Sequence, residues 1–265
     1  IRLMFRWASE KELISANVYH GLQTVRGLSK GRTEAKETKP VAPAPQEHVD
    51  AVEPYVSRQV WALIQLQLLT GARSGELVTL RPCDIDMSGK IWFYRPSQHK
   101  TAHHGFSRTI YIGPRGQSVL RPFLLRPAKS YCFSPAEAVA ESRQKRSENR
   151  KTPLHQGNTV GTNLKEKPKR RPGKHYTTSA YGHAITKAIK KAFRPDGMSD
   201  AEFKTWKPPQ HWHPHQLRHN AATFLRKEFG LETARIILGH RSSAITEVYA
   251  EMDQQKAMEA IVRVG

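Results

Sequence analysis

The strongest structural signal in the sequence is a short apolar segment with a clear beginning and end. SRQVWALIQLQLLTG, residues 57 to 71, has helical apolar spacing, with Ser57 as a candidate N-cap and Gly71 as a stop. Gln65 and Gln67 interrupt the segment, which is far shorter than the roughly 20 apolar residues needed to cross a bilayer. It predicts a core helix of a folded domain and argues against a membrane protein.

The charge balance points to the class of partner. Lys and Arg number 43 and Asp and Glu 23, which gives a formal net charge of +20. Hydrophobic residues make up 38% and aromatic residues 8% of the chain, too much for a wholly disordered basic tail. We therefore expect a folded protein whose partner is rich in negative charge.

The cysteines indicate the cellular compartment of the protein, and the first residues indicate that the sequence is part of a longer polypeptide. Cys83 and Cys132 are far apart and outside any CxxC spacing, which excludes a disulfide framework and a cysteine zinc site. A reducing, cytoplasmic compartment is the expectation. The sequence begins at Ile1 rather than Met and has no signal-peptide pattern, so we expect a fragment of a longer polypeptide.

Composition divides the chain into three predicted parts. Residues 1–30 have amphipathic helical spacing and resemble the end of an upstream helical domain. Residues 31–48 are rich in charge, Pro and Ala, which is typical of an extended linker. Residues 49–265 form the predicted main domain.

Within the main domain, the patterns predict a mainly α fold with a small antiparallel β-sheet (α+β). The β-rich runs KIWFYRP (90–96) and SRTIYIG (107–113) are joined by a segment that contains Lys100, which indicates a hairpin. Ser134 with Glu137, and Ser199 with Glu202, have the spacing of capping boxes at helix starts.

A basic segment around 141–175 interrupts this pattern. It carries eleven Lys or Arg residues and three Glu residues, with hardly any large apolar side chains. Two interpretations stand: an exposed insertion that is simply solvated, or a phosphate-backbone contact that becomes ordered on binding.

Two further segments carry residues with chemical potential. HWHPHQLRHNAATFLRKEFG predicts a helix from Pro214 to Gly230, with His215 and Arg218 on one face of its first turn. That arrangement suits an anion, although a helix-cap role explains it equally. Downstream, a helix ends at Gly239, His240 follows, and Tyr249 comes nine residues later. Tyr249 alone is equally consistent with half-buried core packing.

Taken together, these motifs resemble the catalytic domain of tyrosine recombinases, the phage integrase family. The resemblance runs from about residue 48 to 265 and rests on the order of the motifs TGARSGEL, HPHQLRH, LGH and TEVYAEMD, with a hairpin lysine between the first two. The residues that carry it are Arg73, Glu76, Lys100, His215, Arg218, His240 and Tyr249. Gly75 and Asn220 depart from the usual pattern without removing a reactive group. The resemblance also implies that residues 1–30 are the C-terminal end of an upstream core-binding domain.

The resemblance implies a site-specific recombinase that cuts and rejoins DNA through a 3′-phosphotyrosine, without metal, ATP or another cofactor. Tyr249 is the implied nucleophile, and His215 takes its proton. Lys100 is the implied general acid. Three donors, Arg73, Arg218 and His240, hold the phosphate oxygens, and Glu76 orients its basic neighbours.

The implied partners are double-stranded DNA and three further copies of the chain, in a homotetramer on two DNA sites. A directionality factor is a further partner that the resemblance allows, and the tail from Glu251 to Gly265 packs either in cis or on a neighbouring protomer.

Three rival functions remain open at this point. A type IB topoisomerase uses the same tyrosine chemistry to relax supercoils, and an inactive DNA-binding protein needs only the charge. A zinc protein would have to use His211, His213, His215 and His219, which lack the usual closed ligand spacing.

Overall fold

The structure is a computed structural model that describes residues 1–29, 31–34, 36–37, 41–97, 108–153, 155–156 and 171–239. The chain divides into two compact units, Ile1–Val41 and Ala42–Gly265. The described residues are mainly helical with a small antiparallel sheet, so the predicted fold class is confirmed. The assignment of the first unit to an upstream core-binding domain stays a prediction.

Helices account for most of the regular secondary structure among the described residues. The helices are α1 (Arg2–Glu10), α2 (Ala16–Thr24), α3 (Gln46–Asp50), α4 (Arg58–Thr70), α5 (Ser74–Val78), α6 (Pro114–Leu120), α7 (Pro135–Glu148), α8 (Thr178–Ala192), α9 (Asp200–Thr205), α10 (Pro214–Phe229) and α11 (Leu231–Leu238). The strands are β1 (Ile85–Asp86), β2 (Trp92–Tyr94) and β3 (Ile110–Ile112).

The first unit consists of α1 and α2, which contact each other. Ser15 caps α2 by accepting a hydrogen bond from the Asn17 amide at 3.4 Å. None of the described residues of either helix is buried, and Trp7 and Leu3 are exposed. Apolar side chains of both helices are therefore exposed.

The second unit begins ahead of the predicted domain start at Val49. Ala44 is buried, and its amide and carbonyl both pair with the Asn220 side chain of α10, at 2.8 and 2.6 Å. Helix α3 then starts at Gln46. The last residues of the predicted linker 31–48 therefore pack on the main unit, because Asn220 binds the backbone of Ala44.

Helix α4 has the predicted ends and lies in the core. The Ser57 hydroxyl accepts a hydrogen bond from the Val60 amide at 3.3 Å, and Gly71 adopts the left-handed conformation with φ 63°. The helix packs on α6 and α10 and is buried along most of its length. Its C-terminal end therefore places the chain that follows Gly71 next to α10.

The predicted hairpin forms the larger part of the sheet. Strands β2 and β3 pair antiparallel, with Trp92 opposite Ile112 and Tyr94 opposite Ile110. A short strand that the sequence did not predict, β1, adds to the other side of β2, with Ile85 opposite Tyr94. The connection that contains Lys100 lies outside the described residues.

The start of α7 shows one error of the sequence analysis. The helix begins at Pro135 as expected, but the Ser134 side chain makes no capping hydrogen bond with any described residue. Glu137 instead accepts two hydrogen bonds from the Arg126 guanidinium, at 3.0 and 3.2 Å. The predicted capping box is wrong there because a long-range ion pair takes the carboxylate, whereas the box of Ser199 and Glu202 is present in α9.

The basic segment 141–175 begins inside a helix. Helix α7 continues to Glu148, and Glu141 accepts hydrogen bonds from Arg58 and Gln59 of α4, at 2.8 and 3.0 Å. Most of the described residues of the segment are exposed. Whether the segment contacts phosphates stays a prediction.

Candidate active site

Arg73 lies at the start of α5, directly after the end of α4. Its backbone amide donates to Oε2 of Glu76 at 2.8 Å, and its Nη1 donates to Oε1 at 3.0 Å. The R-x-x-E spacing places a carboxylate where the first turn of a helix has unpaired amides. Glu76 is only 3% exposed, whereas about a third of the Arg73 side chain remains accessible. Glu76 therefore orients a guanidinium that a ligand can still reach.

Arg218 extends from the first turns of α10 and binds two backbone carbonyls. Its Nη1 donates to the Gly71 carbonyl at 2.5 Å and its Nη2 to the Leu238 carbonyl at 2.7 Å. The residue is 1% exposed. The sequence predicted an arginine presented to an anion at the helix start, but the structure shows a buried guanidinium that joins the ends of α4 and α11.

His215 lies one turn before Arg218 and is exposed. Its ring makes an edge contact with His219, with 5.0 Å between the centroids. Partial burial lowers the pKa of His215, and the charges of Arg218, His213 and Arg73 lower it further. Burial and these charges therefore favour the neutral imidazole, which is the form that accepts a proton.

The structure brings four of the predicted site residues together. Gly71, whose carbonyl binds Arg218, precedes Arg73 by two residues, and both Arg73 and Arg218 act on the pKa of His215. Glu76 completes the group through Arg73. Lys100, His240 and Tyr249 lie outside the described residues, so their predicted places in this site stay predictions.

Arg108 is a site residue that the sequence analysis missed. Its Nε lies 3.5 Å from Oε1 of Glu76, and its Nη1 donates to the Ile237 carbonyl at 3.1 Å. A signal was present, because alternation along the strand puts Arg108 on the same face as Ile110 and Ile112, which are both buried. A charged residue in an inward position needs a partner, and Glu76 provides it.

Burial lowers the pKa of Arg108, Glu76 raises it, and Arg73 lowers it. Because the pKa of an arginine lies far above neutrality, the group keeps its charge. Two guanidiniums thus share one buried carboxylate, and the surplus positive charge of the site suits an anionic ligand.

The β-sheet also contacts this cluster through Tyr94. Its hydroxyl donates to the backbone carbonyl of Glu76 at 2.6 Å, and burial raises the pKa of Tyr94. Tyr94 is fully buried in β2, so this bond ties α5 to the sheet.

The described part of the chain contains neither a metal-binding cluster nor a membrane-spanning helix. Residues 1–29, 41–97, 108–153 and 171–239, together with the short described segments between them, contain no group of three or more His, Cys, Asp or Glu placed to hold a metal ion. In that same part of the chain, no helix has the length and apolar character of a membrane span.

The phage integrase family matches residues 47–256 of this sequence, and the chain belongs to that family. The match covers the two helix starts that carry Arg73 and His215, as well as the segments that carry Lys100, His240 and Tyr249. No curated protein sequence gives a significant match to the chain.

Two solved structures have the same fold at low sequence identity. A variant of the Tn1549 transposon integrase in complex with a circular intermediate DNA is 17% identical, with a TM-score of 0.54, over 98% of this chain and 76% of that one. A second variant of that integrase, in complex with transposon right end DNA, is 15% identical, with a TM-score of 0.52, over 99% and 84%. The XerH recombinase bound to its difH substrate is 16% identical, with a TM-score of 0.47, and this chain spans 55% of its length.

Proposed function

We propose that the chain contains the catalytic domain of a site-specific recombinase that cuts and rejoins double-stranded DNA through a tyrosine. The observation that carries the proposal is that Arg73 and Arg218 lie near enough to His215 to lower its pKa, in a member of the phage integrase family. The net charge of +20 supports DNA as the partner, because phosphate contacts dominate the affinity of proteins for nucleic acids. The solved integrase structures with this fold are described as complexes with DNA.

The first step joins Tyr249 to DNA. The phenolate oxygen attacks the scissile phosphorus, the bond from phosphorus to the 5′ oxygen breaks, and a 3′-phosphotyrosine and a 5′-hydroxyl result. His215, held neutral by its surroundings, accepts the phenol proton. Lys100 gives a proton to the leaving 5′ oxygen, so the charge balances across the step.

The positive groups act on the phosphate during this step. Charge accumulates on the non-bridging oxygens as the phosphorus becomes five-coordinate, and fixed donors there lower the barrier. Arg73 is accessible for this role, and His240 is a further proposed donor. Arg218 is 1% exposed, so its contact with a phosphate requires the atoms that cover it to move when DNA binds.

The reverse step rejoins the strands. A 5′-hydroxyl attacks the phosphotyrosine, reforms the phosphodiester and releases Tyr249, so the bond energy is retained and the proposed cycle needs neither ATP nor a metal ion. Exchange between two duplexes requires four active sites, and we propose a homotetramer on two DNA sites, with a directionality factor as an additional partner.

The test is a covalent adduct trapped with detergent in the presence of EDTA. The probe is a duplex spanning the ends of the DNA element that encodes the chain. We expect an adduct with the wild type and none with Tyr249→Phe. Tyr55→Phe is the matched control, because Tyr55 is exposed and lies on a 3₁₀ turn outside the candidate site.

The outcomes separate this function from its rivals. Tight binding without an adduct would contradict the proposal and leave a DNA-binding protein without chemistry. An adduct accompanied by relaxation of a supercoiled plasmid, with no exchange between two sites, would identify a topoisomerase activity instead. Loss of the adduct in EDTA would contradict the metal-independent mechanism.

A further inference from the structure

Arg108 lies in contact with three separate parts of the second unit. It precedes β3, its Nε faces Glu76 in α5 at 3.5 Å, and its Nη1 binds the Ile237 carbonyl of α11 at 3.1 Å. The same Nη1 also donates to the Thr109 carbonyl at 3.0 Å. Arg108 thus connects the start of β3 with the start of α5 and the end of α11.

Packing alone does not account for a charge at this position. Arg108 is 8% exposed, and within the described part of the chain its Nη2 is buried without a hydrogen-bond partner. Removing a guanidinium from water is costly, and an apolar side chain of similar size avoids that cost. A role that needs the planar fork of donors explains the residue better than stability does.

The guanidinium lies directly against the turn that ends α11. Gly239 adopts a left-handed conformation with φ 66°, and a Cβ atom there would lie 2.5 Å from Nη1 and 3.1 Å from Cζ of Arg108. A side chain at this position would require the Arg108 guanidinium to shift. The Arg108 guanidinium therefore packs closely against this turn.

The last carbonyls of α11 are shared between two arginines. Ile237 binds Arg108, and the next carbonyl, Leu238, binds Arg218. Positive groups are favourable at this end of a helix, where unpaired carbonyls carry partial negative charge. The end of α11 is thus connected to Glu76 on one side and to Gly71 on the other.

We propose that Arg108 is a positioning residue that holds the Gly239 turn against Glu76 and thereby aligns His240 with Arg73. His240 follows Gly239 in the sequence, so the placement of the turn fixes where its backbone begins. This inference rests on the proposed function, in which His240 and Arg73 contact the same phosphate. Arg108 itself touches neither DNA nor the reacting atoms.

The test compares Arg108→Lys and Arg108→Gln with Arg126→Gln in the whole chain. Lysine keeps the positive charge but has a single donor atom, so it is unable to span Glu76 and Ile237 as the fork does. Arg126 is the matched control. Its guanidinium also joins a carboxylate, Glu137, to backbone carbonyls, those of Phe123 and Tyr131 at 2.6 and 2.7 Å, but away from the site.

The first measurement is amide hydrogen exchange without DNA. The Gly239 amide donates to the Ile236 carbonyl at 3.1 Å and reports on the end of α11. We expect its exchange to become about tenfold faster in both Arg108 variants and to stay unchanged in Arg126→Gln, because Arg108 contacts the end of α11 and Arg126 does not. Equal exchange in all three variants would overturn the positioning role.

The second measurement separates binding from chemistry, with the element-junction duplex as the probe. A misplaced donor slows the chemical step more than it weakens binding, so Arg108→Lys is expected to bind within about twofold of the wild type and to cleave about tenfold more slowly. Cleavage within about twofold of the wild type, or an equal loss in Arg126→Gln, would overturn the proposal. A wild type that cuts no duplex would contradict the proposed function, and the exchange measurement would still decide whether Arg108 holds the turn.

Discussion

Glu76 is the buried carboxylate that compensates the charges of Arg73 and Arg108. The substitution Glu76→Gln tests how much the stability of the fold depends on that compensation. The substitution keeps an oxygen that accepts the hydrogen bond from the Arg73 amide, now 2.8 Å from Oε2, so the start of α5 is retained. It removes the negative charge that lies 3.0 Å from Nη1 of Arg73 and 3.5 Å from Nε of Arg108.

The cost has two parts. The bond to Arg73 changes from a charge-assisted to an ordinary hydrogen bond, which costs about 1 kcal/mol. Arg108, with 7% of its side chain exposed, loses the carboxylate that compensates its charge. Leaving one member of a buried ion pair without its partner costs about 3 kcal/mol or more, and the remaining amide oxygen reduces that figure. We expect a loss of about 2 to 4 kcal/mol in the free energy of unfolding.

The assay is urea unfolding followed by tryptophan fluorescence, since Trp92 and Trp212 are buried in the second unit. Glu137→Gln is the control, because Glu137 also pairs with an arginine but its side chain is 45% exposed, and we expect a loss below about 1 kcal/mol. If Glu76→Gln were no more destabilising than this control, the argument that Glu76 compensates two guanidiniums would be refuted.

Three further predictions concern residues around the site. Gly239→Ala is expected to destabilise the fold more than Gly197→Ala in thermal unfolding: both glycines have positive φ, but at Gly197 no described atom lies within 4 Å of the added Cβ. The pKa of His219 is lowered to about 4 by burial and by the charges of His215, His213 and Arg218. Its value in the unfolded chain is about 6.5, so the unfolded state binds protons first as the pH falls. Stability should therefore decrease between pH 6.5 and 4 by at most about 3 kcal/mol, and unfolding of His219→Gln at pH 7 and pH 5 should show a smaller decrease. Asn220→Thr loses at least one of the two bonds to the Ala44 backbone and should cost about 1 to 3 kcal/mol by urea unfolding, whereas an unchanged midpoint would show that this clamp is not needed.

Local sequence signals predicted the ends of helices well. Ser57 and Gly71 bound α4 as expected, and α10 and α11 end at Gly230 and Gly239. These signals act within one turn of the chain, since a cap bonds to amides three residues away and a glycine adopts a left-handed turn without a partner. The R-x-x-E spacing is a signal of the same kind, because Glu76 returns to the Arg73 amide.

Errors arose where a distant residue competes for a side chain. Glu137 has the spacing of a capping box, yet Arg126 takes its carboxylate. Asn220 was a departure from a family pattern, and only the structure shows it bound to Ala44, which comes much earlier in the chain. A local sequence signal depends only on residues close by in the chain. It carries no information about which distant partner the fold will bring near.

The sequence by itself determined the family, the helical class and the order of the residues proposed to act on a phosphate, because each depends on residue type and short-range spacing. The tertiary structure decided how those residues are held. It buried Arg218 between the carbonyls of Gly71 and Leu238, and it placed Arg108 between Glu76 and the end of α11. The physical reason is that the partners of these buried guanidiniums, backbone carbonyls and the Glu76 carboxylate, belong to other elements and come near only when the chain has folded.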